Sequence, residues 1–418
     1  MRILVIGLGH VGIVTAAGLL RDGHIVVGVD TSDHVRDCVA RGVSPIREPG
    51  VSDLIAAGHA AGRLSVATSL NGLAEADLAF ICVGTRGLED GVLDLCDLKA
   101  VARQLGDAIH SRPPTLPPML FVIRSTIPPG SMDNEVIPAF AEGAGETPGR
   151  LYEVASNPEF TREGSAVADY FAPARIVIGE RRPGSTQVLR DALRDIEAPI
   201  IATSFDVAAL TKLADNAFHA LKVAFANEIG RFALKSGISP GEVSDLFLAD
   251  TKLNLSAAYL RPGGAFGGPC LKKDVLALAS YMQKVGIVAP VIGHIYESNL
   301  SHIDFLMATI VSRAPPRSRI LLVGLSFKSG TDDVRESPFV TLAEALLDGG
   351  YDLSIYDPDL VDDGVVAVRA DIPSQLFDTL LSQLPTEVAW DLVIVGKSAR
   401  DVLPLVNMNS PLFHIDQL

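Results

Sequence analysis

Short apolar runs, each closed by a polar or glycine-rich turn, alternate along the chain with stretches of helical period. Arg2 to Ile6 reads as a β-strand, Val11 to Arg21 as a helix, and Ile25 to Val29 as a second strand ending at Asp30. Asp77 to Val83 (DLAFICV) is apolar after its first residue, as in a buried strand, and runs into Gly84-Thr85. Met119 to Ile123 is another such strand, leading into Arg124-Ser125-Thr126. Phe205 to Ser236 has a helical pattern with no Pro and with Gly230 as its one glycine, and predicts a long helix. After a linker at Pro315 to Ser318, the pattern of the opening residues returns. A strand (Arg319 to Val323), a Gly324 turn, a helix (Ser337 to Asp348) and a strand ending at Asp357 follow, with a further strand at Asp391 to Val395. The fold class predicted is α/β: two Rossmann-like doubly wound domains joined by a long central helix, with divisions at 1–200, 201–300 and 301–418.

Composition narrows this picture. A chain of 418 residues has room for two or three domains at roughly 100–200 residues each, and 48% hydrophobic content supports sizeable cores. A net charge of −15 argues against nucleic acid as a partner, which would need a basic face. The four cysteines are too few and too scattered for a disulfide framework, and no Cys/His cluster suggests a metal. No apolar run approaches the roughly 20 residues of a membrane helix, and the N-terminus reads as a strand and turn rather than a signal peptide. A cytoplasmic protein is expected.

The first turn carries the most specific chemistry. Gly7-Leu8-Gly9-His10-Val11-Gly12 is a GxGxxG run lying between a strand and a helix. Gly7 permits the tight turn, Gly9 lets a pyrophosphate approach, and Gly12 allows close packing of helix on strand. The helix N-terminus faces the phosphates. Asp30 is placed for the adenosine ribose hydroxyls and would repel a 2′-phosphate, so NAD is expected rather than NADP. Thr85 and Thr126 follow strands at the same sheet edge, where ligands bind; ordinary loop threonines are the competing reading.

A second cluster surrounds Cys270 in the run GGAFGGPCLKKDVLAL. Neighbouring cations favour the thiolate, although a structural cysteine beside a basic turn competes. Glu159 and Glu163, four apart, would share one face if a helix begins after Pro158; dipole-complementing acids are the alternative. Lys212, Asn216 and Asn227 can share a stripe of the long helix, with His219 near it, where buried amine and amide groups would need partners. Lys328 and Arg335 are candidate phosphate contacts, or surface charges beside Asp332, Asp333 and Glu336.

These segments together resemble the UDP-glucose/GDP-mannose 6-dehydrogenase family. The matching runs are GLGHVG, SPIREPG, FICVGT, RSTIPPG, NPEFTREG, the Lys212–Asn227 helix, FGGPCLKKD and GLSFKSGTDDVRESP. KLNLSAAYLRPG and HALKVAFANEIG look most like its GDP-mannose branch. The resemblance implies two successive NAD-dependent oxidations at sugar C6, from alcohol to uronic acid, with Cys270 forming a thiohemiacetal and then a thioester. It implies that Lys212 and Asn216 stabilise oxyanions, that Asp274 and Thr126 position water, and that Glu159 is the general base. Glu163, Lys212, Asn216, His219, Asn227, Tyr259, Arg261, Gly267 and Lys328 match substrate positions. Gly7, Gly9, His10, Val11, Gly12, Asp30, Thr85, Thr126, Lys273 and Arg335 match cofactor positions. A homodimer built on the central helix is implied as well, with 1–200 holding NAD and 301–418 the nucleotide sugar.

The chain departs from the family pattern in places. Pro269 stands where Ser is usual, and Lys272 where Pro is usual. Gly264 replaces an aromatic residue, Arg86 a Pro, Val35 a Lys and Thr161 a Leu. Three alternatives to GDP-mannose oxidation stay open here. They are oxidation of UDP-glucose or another nucleotide sugar, a simple alcohol dehydrogenase or imine reductase with a structural Cys270, and a non-catalytic nucleotide-sugar-binding protein.

Overall fold

The computed structural model describes residues 1–70, 75–113, 115–251, 262–284, 286, 289–362, 365–366, 371–385, 388–396 and 410–415. The chain divides into two compact units, Met1–Ala214 and Asp215–Leu418. Among the described residues no helix is long and apolar enough to cross a membrane.

The first unit is built on an eight-stranded sheet. Its strands are β1 (Arg2–Ile6), β2 (Ile25–Val29), β3 (Leu64–Ala67), β4 (Leu78–Ile81), β7 (Met119–Ile123), β8 (Tyr152–Ser156), β9 (Ile176–Glu180) and β10 (Ile200–Thr203). A two-residue hairpin, β5 (Arg86–Gly87) with β6 (Leu93–Asp94), interrupts the series. The order is β10-β9-β8-β7-β4-β1-β2-β3, parallel up to β8, with β9 pairing antiparallel to β8. Strand order reverses between β1 and β4, so the ligand crevice of a doubly wound sheet falls outside the carboxyl ends of these strands. The expected Val11–Arg21 helix begins one residue earlier, at His10. It presses Ile13, Ala16, Ala17 and Leu20 into a core with Val5, Phe80, Val122 and Tyr170. The buried faces explain the continuous apolar runs of the central strands.

A helix after Pro158 is the condition for Glu159 and Glu163 to share a face. No helix begins after Pro158; residues 157–162 are irregular, and the next helix starts at Ala166. Side-chain acceptors take the amides that a helix would need. Thr161 N–H donates to Glu159 Oε2 (2.7 Å), Arg162 N–H to Asp169 Oδ2 (2.9 Å) and Gly164 N–H to Glu48 Oε2 (2.8 Å). Such local side-chain bonds compete with the helical ladder. Glu159 and Glu163 therefore do not lie on a common helix face.

The second unit begins within the central helix (Phe205–Lys235), which runs almost as the sequence predicts. It carries a four-stranded parallel sheet of order β12-β11-β15-β16: β11 (Arg319–Val323), β12 (Asp352–Tyr356), β15 (Leu392–Val395) and β16 (Leu412–His414). A short antiparallel pair, β13 (Val361–Asp362) and β14 (Val365–Val366), precedes β15. The helix Pro338–Asp348, capped by Ser337, packs Phe339, Leu342 and Leu346 onto this sheet.

The echo of the opening unit has a geometric counterpart. Gly7 N–H donates to Val29 O, and Gly324 N–H to Tyr356 O, both at 2.8 Å. Both glycines have positive φ, +83° and +97°. Asp30 Oδ2 accepts from Leu8 N–H, and Asp357 Oδ2 from Leu325 N–H, both at 2.7 Å.

Candidate active site

The turn after β1 has the shape a dinucleotide requires. A Cβ on Gly12 would lie 1.8 Å from the Gly7 carbonyl oxygen, so helix and strand meet there through backbone alone. A Cβ on Gly9 would meet nothing within 4 Å, leaving the helix N-terminus open to an anion. Val11 lies in the first turn of that helix. Asp30 is half-buried and orders the loop through Leu8 N–H and Ser32 N–H. A carboxylate has about four acceptor positions, so those two bonds leave capacity for ribose hydroxyls. Thr85 Oγ1 donates to Thr126 O (2.8 Å) and Ser125 Oγ to Val83 O (2.6 Å), which ties the loops after β4 and β7 together.

His10 has a partner that the sequence did not reveal. Its Nε2 donates to Glu48 Oε2 at 3.0 Å, and the buried Glu48 also accepts from Gly164 N–H and Ala166 N–H. Burial opposes the charge on His10. The Glu48 hydrogen bond and the carboxylates of Glu163, Glu48 and Glu159 outweigh it, and its pKa is raised. Burial likewise opposes the charge on Glu48, but the bonds from His10, Gly164 and Ala166 hold its carboxyl below the usual range. Glu48 thus joins the glycine turn to the loop carrying Glu159 and Glu163.

Glu159 and Lys212 form a buried ion pair, with Lys212 Nζ 3.0 Å from Glu159 Oε1. Thr161 supplies Glu159 Oε2 with two further bonds, from its N–H (2.7 Å) and its Oγ1 (2.6 Å). Burial alone would raise this carboxyl. The charge of Lys212, the Thr161 hydroxyl and the remaining bonds overcome it and bring the pKa down to about 2. The ring of Phe160 lies beneath two cations, Arg175 at 5.0 Å and Lys212 at 5.7 Å from its centroid.

In the second unit Cys270 is exposed and is the N-cap of the helix Leu271–Lys284, its carbonyl accepting from Asp274 N–H at 2.9 Å. A helix N-terminus favours thiolate over thiol. The other cysteines differ from it. Cys38 and Cys82 are buried, and burial pushes the Cys82 thiol up to about 12. Cys96 is exposed, but its hydrogen bond to the Asp94 carboxylate raises it. Below Cys270 the buried Asp274 accepts a hydrogen bond from Asn216 Nδ2 and lies 3.3 Å from Lys273 Nζ.

Two helices hold the approach to the cysteine. From the central helix, Asn227 Oδ1 accepts from Gly263 N–H (2.9 Å) and its Nδ2 donates to Gly264 O (3.3 Å). From the helix Pro290–Arg313, Asn299 pairs with both backbone groups of Phe266, and His302 Nε2 donates to Gly263 O at 2.6 Å. The Asn227 amide is thus engaged by the protein's own backbone. His219 is half-buried on the same helix. Gly267 lies against Pro338, Glu336 and Phe327, where a Cβ would approach to 2.4 Å. Lys328 is half-buried in the loop after β11, and the exposed Arg335 forks onto Asp333 through Nε and Nη2. Tyr259 and Arg261 lie outside the described residues.

Models of three consecutive domains of one family match the chain: an NAD binding domain over residues 1–197, a central domain over 206–301 and a UDP binding domain over 321–379. The chain belongs to the UDP-glucose/GDP-mannose dehydrogenase family. It is an NAD-dependent nucleotide-sugar dehydrogenase. One family member, the GDP-mannose 6-dehydrogenase of Pseudomonas aeruginosa, is 40% identical over 414 residues, covering 97% of this chain and 94% of its own. A solved UDP-glucose dehydrogenase from Pyrobaculum islandicum superposes with a TM-score of 0.88 at 33% identity, over 98% of this chain and 93% of that one. The ternary complex of the Pseudomonas GDP-mannose dehydrogenase gives 0.59 at 39% identity, over 99% and 95%. Against this family background, Glu48, Asn299 and His302 are the site-supporting residues that sequence reasoning left out. Asn299 and His302 had a signal: they fall on the buried stripe Ile295, Ile303, Leu306, Ile310 of an otherwise apolar helix face. Glu48 had none beyond its place in SPIREPG.

Proposed function

We propose that this dehydrogenase oxidises GDP-mannose to GDP-mannuronate through a thioester on Cys270. The observation that carries the mechanism is the exposed thiol at the head of a helix, with Asp274 and Asn216 bonded beneath it. The GDP-mannose assignment is supported by relatives of that name at about 40% identity across nearly the whole chain.

NAD, when bound at the glycine turn, supplies the hydride acceptor for each oxidation. Gly7, Gly9, His10, Val11, Gly12, Asp30, Thr85, Thr126, Lys273 and Arg335 are the proposed contacts. Lys212 keeps its ammonium charge through Glu159 and turns it toward the oxyanion that develops at C6, with Asn216 as a second donor. Cys270 Sγ adds to the C6 aldehyde, and the resulting thiohemiacetal carbon again bears a removable hydride. Loss of that hydride leaves a thioester, which water attacks as the sulfur departs. Asp274 and Thr126 orient the water, and Glu159 takes its proton. The balance is one alcohol, one water and two NAD giving one carboxylate, two NADH and three protons.

Glu163, His219, Asn227, Tyr259, Arg261, Gly267 and Lys328 complete the proposed sugar-nucleotide site. Residues 1–200, 201–300 and 301–418 would serve as cofactor, dimerisation and nucleotide-sugar regions of a cytoplasmic enzyme. The homodimer is supported by exposed apolar residues along the central helix: Val207, Leu210, Phe218, Phe225, Ile229 and Leu234.

Incubation with GDP-mannose and, separately, UDP-glucose, following NADH and uronate, tests the assignment. Two NADH per GDP-mannose is expected, and Cys270→Ser should abolish sustained turnover. Faster oxidation of UDP-glucose would reassign the substrate, and undiminished turnover by Cys270→Ser would end the thioester route.

A further inference from the structure

The loop between β11 and the helix Pro338–Asp348 lies directly against the cysteine turn, and one residue of it touches both flanks of the nucleophile. On the N-terminal side, the carbonyl of Glu336 accepts from Gly268 N–H at 3.2 Å. On the C-terminal side, its carboxylate Oε2 lies 2.7 Å from Lys272 Nζ. Cys270 sits between these two attachments.

Four features show that the contact is built rather than incidental. Glu336 has φ +53°, one of two non-glycine residues with positive φ among those described. That conformation costs about 1 kcal/mol for an L-residue, and it is the one from which both arms reach the cysteine turn. The turn in its place has no room for side chains. A Cβ on Gly267 would sit 2.6 Å from the Glu336 carbonyl oxygen, and one on Gly268 would sit 2.7 Å from the Phe327 ring. Lys272 is also held from a third element, its Nζ lying 5.2 Å from the centroid of Tyr296. Pro269 adds a fixed φ between the two arms.

We propose that Glu336 is a positioning residue for Cys270, setting the thiol by gripping the chain on either side of it. Lys272 is the second half of the grip. The proposal rests on the reading of Cys270 as the nucleophile. Its consequence is selective. Alcohol oxidation needs no thiol, whereas aldehyde oxidation needs Sγ at the C6 carbon, so loosening the grip slows the second oxidation and spares the first.

The experiment feeds the nucleotide-sugar alcohol and the corresponding C6 aldehyde separately to wild type, Glu336→Gln, Glu336→Gly and the charge-swapped pair Lys272→Glu with Glu336→Lys. The ion pair is about one-third to one-half exposed, so its loss is expected to cost the aldehyde reaction about threefold. First-turnover alcohol oxidation should hold within about 1.5-fold. Glu336→Gly relieves the positive φ. It should keep its melting temperature yet lose aldehyde turnover as Glu336→Gln does, which separates positioning from folding. The swapped pair should return to within about twofold of wild type. Unchanged aldehyde turnover in both Glu336→Gln and Glu336→Gly overturns the proposal, as does an equal fall in both half-reactions. Failure of the wild type to oxidise the aldehyde would instead count against the thioester reading itself.

Discussion

Both carboxylate oxygens of Glu159 carry hydrogen bonds, and the Thr161 hydroxyl gives the shortest of them, at 2.6 Å. A general base works best with a pKa near the operating pH, whereas Glu159 is held at about 2. The proposed role of Glu159 as general base therefore requires its basicity to rise as Lys212 turns its charge toward the substrate. Thr161→Val removes the hydroxyl bond and keeps the N–H bond, so the acid limb of the pH–rate profile for uronate release should move up by about one unit. The sign for stability follows from the same depressed value. The Lys212 pair stabilises the fold fully above the ordinary carboxyl range and loses that contribution as pH falls through about 2. Legibility at this scale was uneven. Cys270, Lys212 and Asn216 stood out as reactive or polar letters in distinctive surroundings. Glu48 did not, because its partners His10, Gly164 and Ala166 are distant in sequence and two of them offer only backbone.

Among the elements, the glycine turn separates cofactor recognition from folding. Gly9→Ala meets no protein atom within 4 Å, and the backbone there is extended. Its stability should stay within about 0.5 kcal/mol of wild type while the NAD dissociation constant, read by titration, rises more than about tenfold. Gly12→Ala puts a methyl 1.8 Å from the Gly7 carbonyl and should cost about 2 kcal/mol or more in denaturant unfolding. Strands β1 and β2, the first helix and the central helix were legible because period, turn residues and burial all agree there. The segment after Pro158 stayed open because its spacing of acids is local, whereas Asp169 and Glu48, which intercept its amides, lie seven or more residues away in sequence. The edge strands β3 and β10 gave weak signals, being short and partly exposed.

For the molecule as a whole, the exposed apolar stripe of the central helix is the surface on which the proposed homodimer rests. Phe218 and Phe225 are 47% and 42% exposed and seven residues apart, two turns along one face. Replacing both with Arg should raise the dimer dissociation constant at least about a hundredfold in sedimentation equilibrium. The second parallel sheet was readable from the return of the strand–glycine–strand–acid pattern; the partners of its second acid were not. Asp357 accepts Leu325 N–H, Ser326 N–H and Ser326 Oγ on one oxygen and Asp359 N–H on the other, and it is buried. Grafting a GxGxxG run onto residues 324–329 would therefore not create a second dinucleotide pocket, because this carboxylate is consumed in bracing its own loop. A protein engineer seeking one would first have to remove the Ser326 hydroxyl and draw the acid back to the surface.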